Sequence, residues 1–141
     1  MNEFELEETL ISLVLSSDLF SGEIPFLKGE VYKKGTRNVI RNEDAIVEVL
    51  SIDDRQFQSA SASIKIYIDD LNIGSPKLVP NVKRLSEVAS KAEQAFRTDG
   101  SSFSVTTSKF RMRVSSIRRE RKEELNQHCV NCLFELIIIN I

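Results

Sequence analysis

The residues with the most distinctive chemistry lie near the C-terminal end, where His128 precedes Cys129 and Cys132 in a Cys-x-x-Cys spacing. That spacing occurs in redox dithiols and in zinc sites. A redox pair has its first cysteine at a helix N-terminus, where the thiol pKa falls, but this segment predicts a strand. Side chains three positions apart on a strand point to opposite faces, so the two sulfurs should diverge. A structural zinc site needs four ligands, and the chain has one histidine and two cysteines in all. We therefore expect buried, inert cysteines and no metal ion or cofactor.

The other residue types that perform catalysis form no recognisable arrangement. His128 is expected to be a structural residue at the start of a strand, because a general base needs a nucleophile or substrate within reach. The aspartate pairs Asp53-Asp54 and Asp69-Asp70 lie at predicted turns, where paired aspartates are typically solvated caps. The five glycines are scattered, and none belongs to a phosphate-binding loop. The sequence predicts a protein that is not an enzyme, with no catalytic residue and no small-molecule substrate.

The strongest charge feature is a basic segment from Lys109 to Lys122, with one negative residue, Glu120. Its positive residues are Lys109, Arg111, Arg113, Arg118, Arg119, Arg121 and Lys122. Arginine suits bidentate pairing with carboxylates or phosphates. Three interpretations stay open: charges that protect a solvated hairpin, contacts with nucleic-acid phosphates, or ion pairs with an acidic protein surface.

A complementary acidic surface is encoded at the N-terminal end. The net charge of -2 gives the chain no overall attraction to nucleic acid. Contact between like subunits is therefore favoured over DNA contact. This subunit-contact hypothesis pairs the basic residues Lys109, Arg111, Arg113, Arg118, Arg119 and Arg121 with the acidic residues Glu3, Glu5, Glu7 and Glu8.

Two helices are expected to position these residues. Apolar residues at helical spacing predict one helix over 5–17 and a second over 81–96. Asn81 is placed to cap the second helix, and Asp99-Gly100 should end it.

The remaining elements are predicted strands. The pattern indicates a short strand around Val31 and Tyr32, a buried strand at 44–52 and an alternating strand at 59–69. Two long strands should follow, at 103–118 and 129–139, joined by a charged turn at 118–124. This order favours an α+β fold with a largely antiparallel sheet, and with the N-terminal helix and one long central helix packed on one face.

Length and composition favour a single α+β domain over residues 1–141. Hydrophobic residues make up 41% and charged residues 28%, as in ordinary globular proteins. Acidic residues stand where a signal peptide would be basic, and the longest apolar run, Leu136–Ile139, is far below the ~20 residues of a membrane helix. We expect a cytosolic product that makes no membrane contact.

The whole layout resembles the tail-completion or tail-terminator proteins of tailed bacteriophages. The resemblance is carried by the order and length of six segments: 5–17; 29–32, which reads Gly-Glu-Val-Tyr; the strand pair 44–52 and 61–69, with Ile-Lys-Ile-Tyr-Ile at 64–68; 81–96; and 124–140.

The resemblance implies a structural virion protein, one that forms a homo-oligomeric ring at the head-proximal end of the tail. Its partners would be other copies of itself, tail-tube proteins and the head connector. It also implies a phage or prophage gene, and a product found first in the host bacterial cytoplasm and then in the virion tail. The alternative is a small cytosolic module that binds protein or nucleic acid as a monomer or dimer.

Overall fold

The computed structural model describes residues 2–53, 58–74, 76–96, 105–106, 110–122 and 126–138. The elements are α1 (Glu3–Ser16), β1 (Val31–Lys33), β2 (Ala45–Asp53), β3 (Ser59–Asp69), α2 (Val82–Phe96), β4 (Val105–Thr106), β5 (Phe110–Lys122) and β6 (Gln127–Ile138). Within these residues six strands form one sheet in the order β1-β2-β3-β6-β5-β4. β1 and β2 are parallel and all other neighbours are antiparallel. The predicted α+β fold is confirmed.

β3 and β6 form the centre of the sheet, and both faces of β3 are largely buried. Ile64, Ile66 and Ile68 are at most 1% exposed and point to the face that carries the helices, here called the helix face. Ile64 lies between Val47 of β2 and Cys132 of β6, both fully buried. The opposite side of the sheet is here called the open face.

Both helices pack on the helix face, as predicted. Asn2 caps α1: its Oδ1 accepts a hydrogen bond from the Glu5 amide, and its Nδ2 donates to the Glu5 carboxylate, each at 2.9 Å. α1 packs over β1 and β2, and α2 packs over β5 and β6. The ring of Phe96 on α2 meets Phe134 edge-on, with the centroids 5.2 Å apart. Neither helix is long and apolar enough to cross a membrane.

The predicted turn at 118–124 is wrong, because β5 continues to Lys122. Arg118 lies opposite Asn131, and the ladder extends without a break to Lys122 opposite Gln127. Backbone pairing with β6 therefore outweighs the turn-like charge pattern. The chain enters β6 through Asn126, whose φ of 50° is one that asparagine tolerates well. The predicted helix end at 99–100 lies outside the described residues.

Glu43 fastens the long connection between α1 and β2 to the helix face. It adopts a positive φ of 67°. Its carboxylate accepts hydrogen bonds from Arg84 Nε at 3.1 Å, from Arg84 Nη2 at 2.9 Å and from the Lys28 amide at 3.2 Å. Arg84 Nη2 also donates to the Phe26 carbonyl at 2.6 Å. Gly29 is needed beside this corner, because a Cβ there would lie 2.4 Å from the Glu43 carbonyl carbon.

Asp44 fastens the same connection on the open face. Its fully buried carboxylate accepts hydrogen bonds from the amides of Glu30 at 2.9 Å and Arg41 at 3.0 Å. It also accepts from Arg37 Nε at 3.0 Å. The Arg37 side chain is 6% exposed and its guanidinium lies 4.5 Å from the ring centroid of Tyr67. Two consecutive carboxylates thus hold one connection to both sides of the sheet.

Candidate functional site

The basic segment forms most of β5, and among the described residues only a short strand pairs with the outer edge of β5. β6 pairs with one edge from Phe110 to Lys122. β4 pairs with the other edge at Arg111 and Met112 alone. Within the described ranges, the outer edge of 113–122 has no neighbouring strand. Such an edge presents backbone donors and acceptors to which a further strand can pair.

The arginines of β5 divide between the two faces of the sheet, as their partners in β6 show. Arg111, Arg113 and Arg118 lie on the open face, and Arg119 and Arg121 lie on the helix face. All five are exposed. The division follows from a register shift between Val114 and Ser116, after which the alternation resumes out of phase. Positive charge therefore lines the free edge from both sides.

Arg113 has an acidic partner within the chain. Its guanidinium donates to the Glu135 carboxylate on β6, and both side chains are about half exposed, at 50% and 54%. The pair borders a cleft of about 870 Å³ that is also lined by residues of β2 and β3. Lys109, the first residue of the basic segment, lies outside the described residues.

The acidic residues of the subunit-contact hypothesis lie on the first turns of α1. Glu3, Glu5 and Glu8 are exposed, and Glu7 is half-buried. Glu5 completes the helix cap described above, and Glu8 forms an ion pair with Lys33 of β1. Part of this acidic charge thus has a role within the fold.

The acidic helix and the basic strand lie at opposite ends of the sheet. α1 contacts β1 and β2, whereas β5 is three strand positions beyond β2. At ~4.8 Å per strand this is a separation of ~14 Å. The structure therefore does not bring the two charged surfaces together within one chain.

The acidic end of the sheet also has a free edge. β1 pairs with β2 only from Ala45 to Val47, so in the part of the chain that is described Glu48–Asp53 has no strand on its outer side. Leu50, in the middle of this stretch, is 48% exposed. Glu48 is half-buried and pairs with Lys34 at 2.7 Å.

The cysteines lie on β6 and diverge as predicted. Cys132 lies on the helix face opposite Ile64, and Cys129 lies on the open face opposite Tyr67. Both are buried, and burial raises the pKa of the Cys132 thiol to about 12. Such a thiol stays protonated at neutral pH and is a poor nucleophile. Among the residues that the structure describes, no group of three or more histidines, cysteines and carboxylates could hold a metal ion.

His128 has a partner that the sequence did not indicate. Its Nδ1 lies 2.6 Å from Asp70 Oδ1, and the two side chains are 11% and 6% exposed. The prediction that Asp70 is a solvated turn cap is therefore wrong. The two residues are 58 positions apart, and the return of β6 alongside β3 brings them together. The pair borders a cleft of about 610 Å³.

Comparison with known proteins places the chain in no family. No family model matches it, and no curated protein matches it. Among solved structures it is similar to a chain of the "Virion of native gene transfer agent (GTA) particle". The identity is 12%, the match covers 96% of this chain and 88% of that chain, and the TM-score is 0.42.

Proposed function

We propose that this protein is a structural virion subunit, of the phage tail-completion or tail-terminator kind, and that it has no catalytic role. Copies of the chain assemble head to tail into a ring at the head-proximal end of the tail. The observation that carries the proposal is that, among the described residues, one sheet has an edge without a neighbouring strand at each end, basic along one and acidic beside the other.

Two different free edges suit a heterologous contact, in which each subunit uses one surface to bind the next. The outer edge of β5 in one copy would lie against the outer edge of β2 in its neighbour. Backbone hydrogen bonds would then extend the sheet across the subunit boundary. Repetition of this contact closes into a ring where the rotation per subunit divides a full turn.

Charge would select this contact over others. Arg119, on the helix face, would approach the acidic start of α1 in the next copy, and Arg111 and Arg118, on the open face, would approach Glu48 of its β2. Each exposed charge pair contributes only ~0–1 kcal/mol, so several are needed to fix the register and the partner. The completed ring would then dock on the tail tube and on the head connector.

The test is sedimentation velocity over a range of protein concentrations at low and high salt. We expect the native chain to associate and its association to weaken with salt, since screening is strong beyond ~8 Å at physiological ionic strength. The double variant Arg111→Glu/Arg118→Glu should associate about tenfold more weakly, as loss of two exposed pairs implies.

A matched control is Lys28→Glu/Lys83→Glu, which makes the same change in net charge at exposed positions away from β5. It should associate as the native chain does. A native chain that is monomeric at every concentration, or equal effects in the two double variants, would contradict the proposal. Tight binding to duplex DNA that only the arginine variant loses would favour a nucleic-acid-binding module instead.

A further inference from the structure

The two short strands at the ends of the sheet, β1 and β4, lie at different levels along the strand direction. Cross-strand partners define rows that can be followed across the sheet. The row at the end of β1 reads Lys33, Val47, Ile64, Cys132, Ile117. The row at the end of β4 reads Asp53, Ser59, Ile137, Arg111, Thr106. Because β2 runs on from the first row to the second, the levels that β1 and β4 occupy do not overlap.

β1 and β4 also run in the same direction. β1 is parallel to β2, and each later step across the sheet to β4 is antiparallel. When a second copy continues the sheet beyond β5 with its helices on the same side, its β1 runs antiparallel to β5. The β4 of the first copy and the β1 of the second then fall in one line, with the same direction and at different levels. One strand position between β5 and the next β2 therefore has room for both short strands.

We propose that copies of this chain join through this shared strand position, an inference that rests on the ring proposed above and specifies its contact. β1 of one copy lies beside 117–119 of its neighbour's β5, and the neighbour's β4 lies beside 52–53 of the first copy's β2. The outer edges of β5 and β2 thus face each other across the two short strands. Each short strand gains a second neighbour, and backbone groups that lack a strand partner in the described part of one copy become paired.

The side chains beside the shared position are complementary on both faces of the sheet. On the open face, Tyr32 of one copy lies level with Arg118 of the next, because one row joins their positions. A guanidinium beside an aromatic ring is a favourable contact. On the helix face, Arg119 lies one level from Lys33, which pairs with Glu8 of α1. The basic strand thus meets the acidic helix without a shift of either copy along the strands.

α1 adds apolar surface beside the same position. Glu8 pairs with Lys33 of β1, so the side of α1 that carries Glu8 faces this edge of the sheet. Phe4 and Leu15 lie on that side, four residues before and seven after Glu8, and they are 76% and 49% exposed. Across the contact, on the helix face and level with Lys33, is the partly buried Ile117 of the neighbouring copy. Phe4 is therefore the aromatic anchor of the contact, a type of residue that often dominates interface energies.

Disulfide trapping tests the arrangement, since both native cysteines are buried. Tyr32→Cys and Arg118→Cys proteins are mixed under a mild oxidant and analysed by non-reducing electrophoresis. We expect a linked dimer in the mixture and none in either variant alone, because the contact joins unlike surfaces. The control mixture is Leu50→Cys with Ser115→Cys, exposed positions on β2 and β5. Across two strand spacings these lie ~10 Å apart, beyond the ~4.5 Å that a disulfide spans between Cβ atoms.

The outcomes separate this arrangement from assembly itself. Linkage of the control mixture alone shows direct pairing of β2 with β5, which overturns the shared position and leaves the ring intact. Absence of linkage in both mixtures, in a native chain that associates, also overturns it. A native chain that sediments as a monomer at every concentration overturns the ring and this contact together.

Phe4→Ser tests the contribution of α1. It should weaken association about tenfold at both low and high salt, because an apolar contact is not screened. The matched control is Ile24→Ser, which removes an apolar side chain that is 90% exposed in the connection after α1. It should associate as the native chain does. Native-like association of Phe4→Ser, or an equal loss in the control, overturns the placement of α1 at the contact.

Discussion

Replacement of Asp44 by alanine should cost a large share of the stability of this fold. The carboxylate is fully buried and accepts hydrogen bonds from two backbone amides and from Arg37. Asp44→Ala would leave those amides without their acceptor, and it would leave a guanidinium that is 6% exposed without a counter-charge. Loss of one partner of a buried ion pair costs ~3–5 kcal/mol. Typical domain stabilities are ~5–15 kcal/mol.

A double-mutant cycle separates the ion pair from the other contacts of Asp44. Arg37→Met removes the charge and keeps a long apolar side chain over Tyr67. In the double variant no charge remains buried and unpaired, so the two losses should not add. We expect the sum of the single losses to exceed the loss in the double variant by ~1–3 kcal/mol. The measurement is the free energy of unfolding in urea, followed by circular dichroism.

A partly exposed ion pair on β2 serves as the control. Glu48 of β2 pairs with Lys34, whose side chain is 68% exposed. Glu48→Ala should cost no more than ~1 kcal/mol, as is usual for surface pairs. If Asp44→Ala is equally mild, or if the Arg37 and Asp44 losses are additive, the two acidic residues before β2 do not hold the connection as described.

Three further predictions test the core and the corner before β2. Gly29→Ala should lower the free energy of unfolding by ~1–3 kcal/mol, because its Cβ would lie 2.4 Å from the backbone of Glu43; an unchanged urea midpoint would contradict this. Cys132, with a pKa of about 12, should stay unmodified by a thiol reagent at pH 8 and react fully in denaturant. Mass spectrometry of the digested protein measures this modification. Labelling of Cys132 in the folded protein would argue against its burial. Ile66→Asp should abolish cooperative folding, since an unpaired buried carboxylate costs several kcal/mol; a soluble variant with a cooperative thermal transition would exclude Ile66 from the core.

The sequence alone determined the helices and strands that depend on interactions between residues close together in the chain. α2 begins at Val82, as predicted, because Asn81 accepts a hydrogen bond from the Arg84 amide at 3.1 Å. β3 covers the predicted 59–69, because the two-residue spacing of Ile64, Ile66 and Ile68 places these side chains on one face of a strand. The divergence of the cysteines followed from the two-residue period of a strand. In each case the decisive neighbours lie within four positions in the chain.

The tertiary structure alone decided which distant residues meet. Arg37 donates to Gln127, 90 positions away, and Arg84 binds Glu43 across 41 positions. The turn predicted at 118–124 became strand because β6 offered a continuous ladder to β5. The cleft beside His128 likewise exists because β6 lies between β3 and β5. The spacing of apolar residues along a strand predicts which face of the sheet each residue occupies. Strand order and register determine which residue lies opposite it, and both depend on packing of the whole chain.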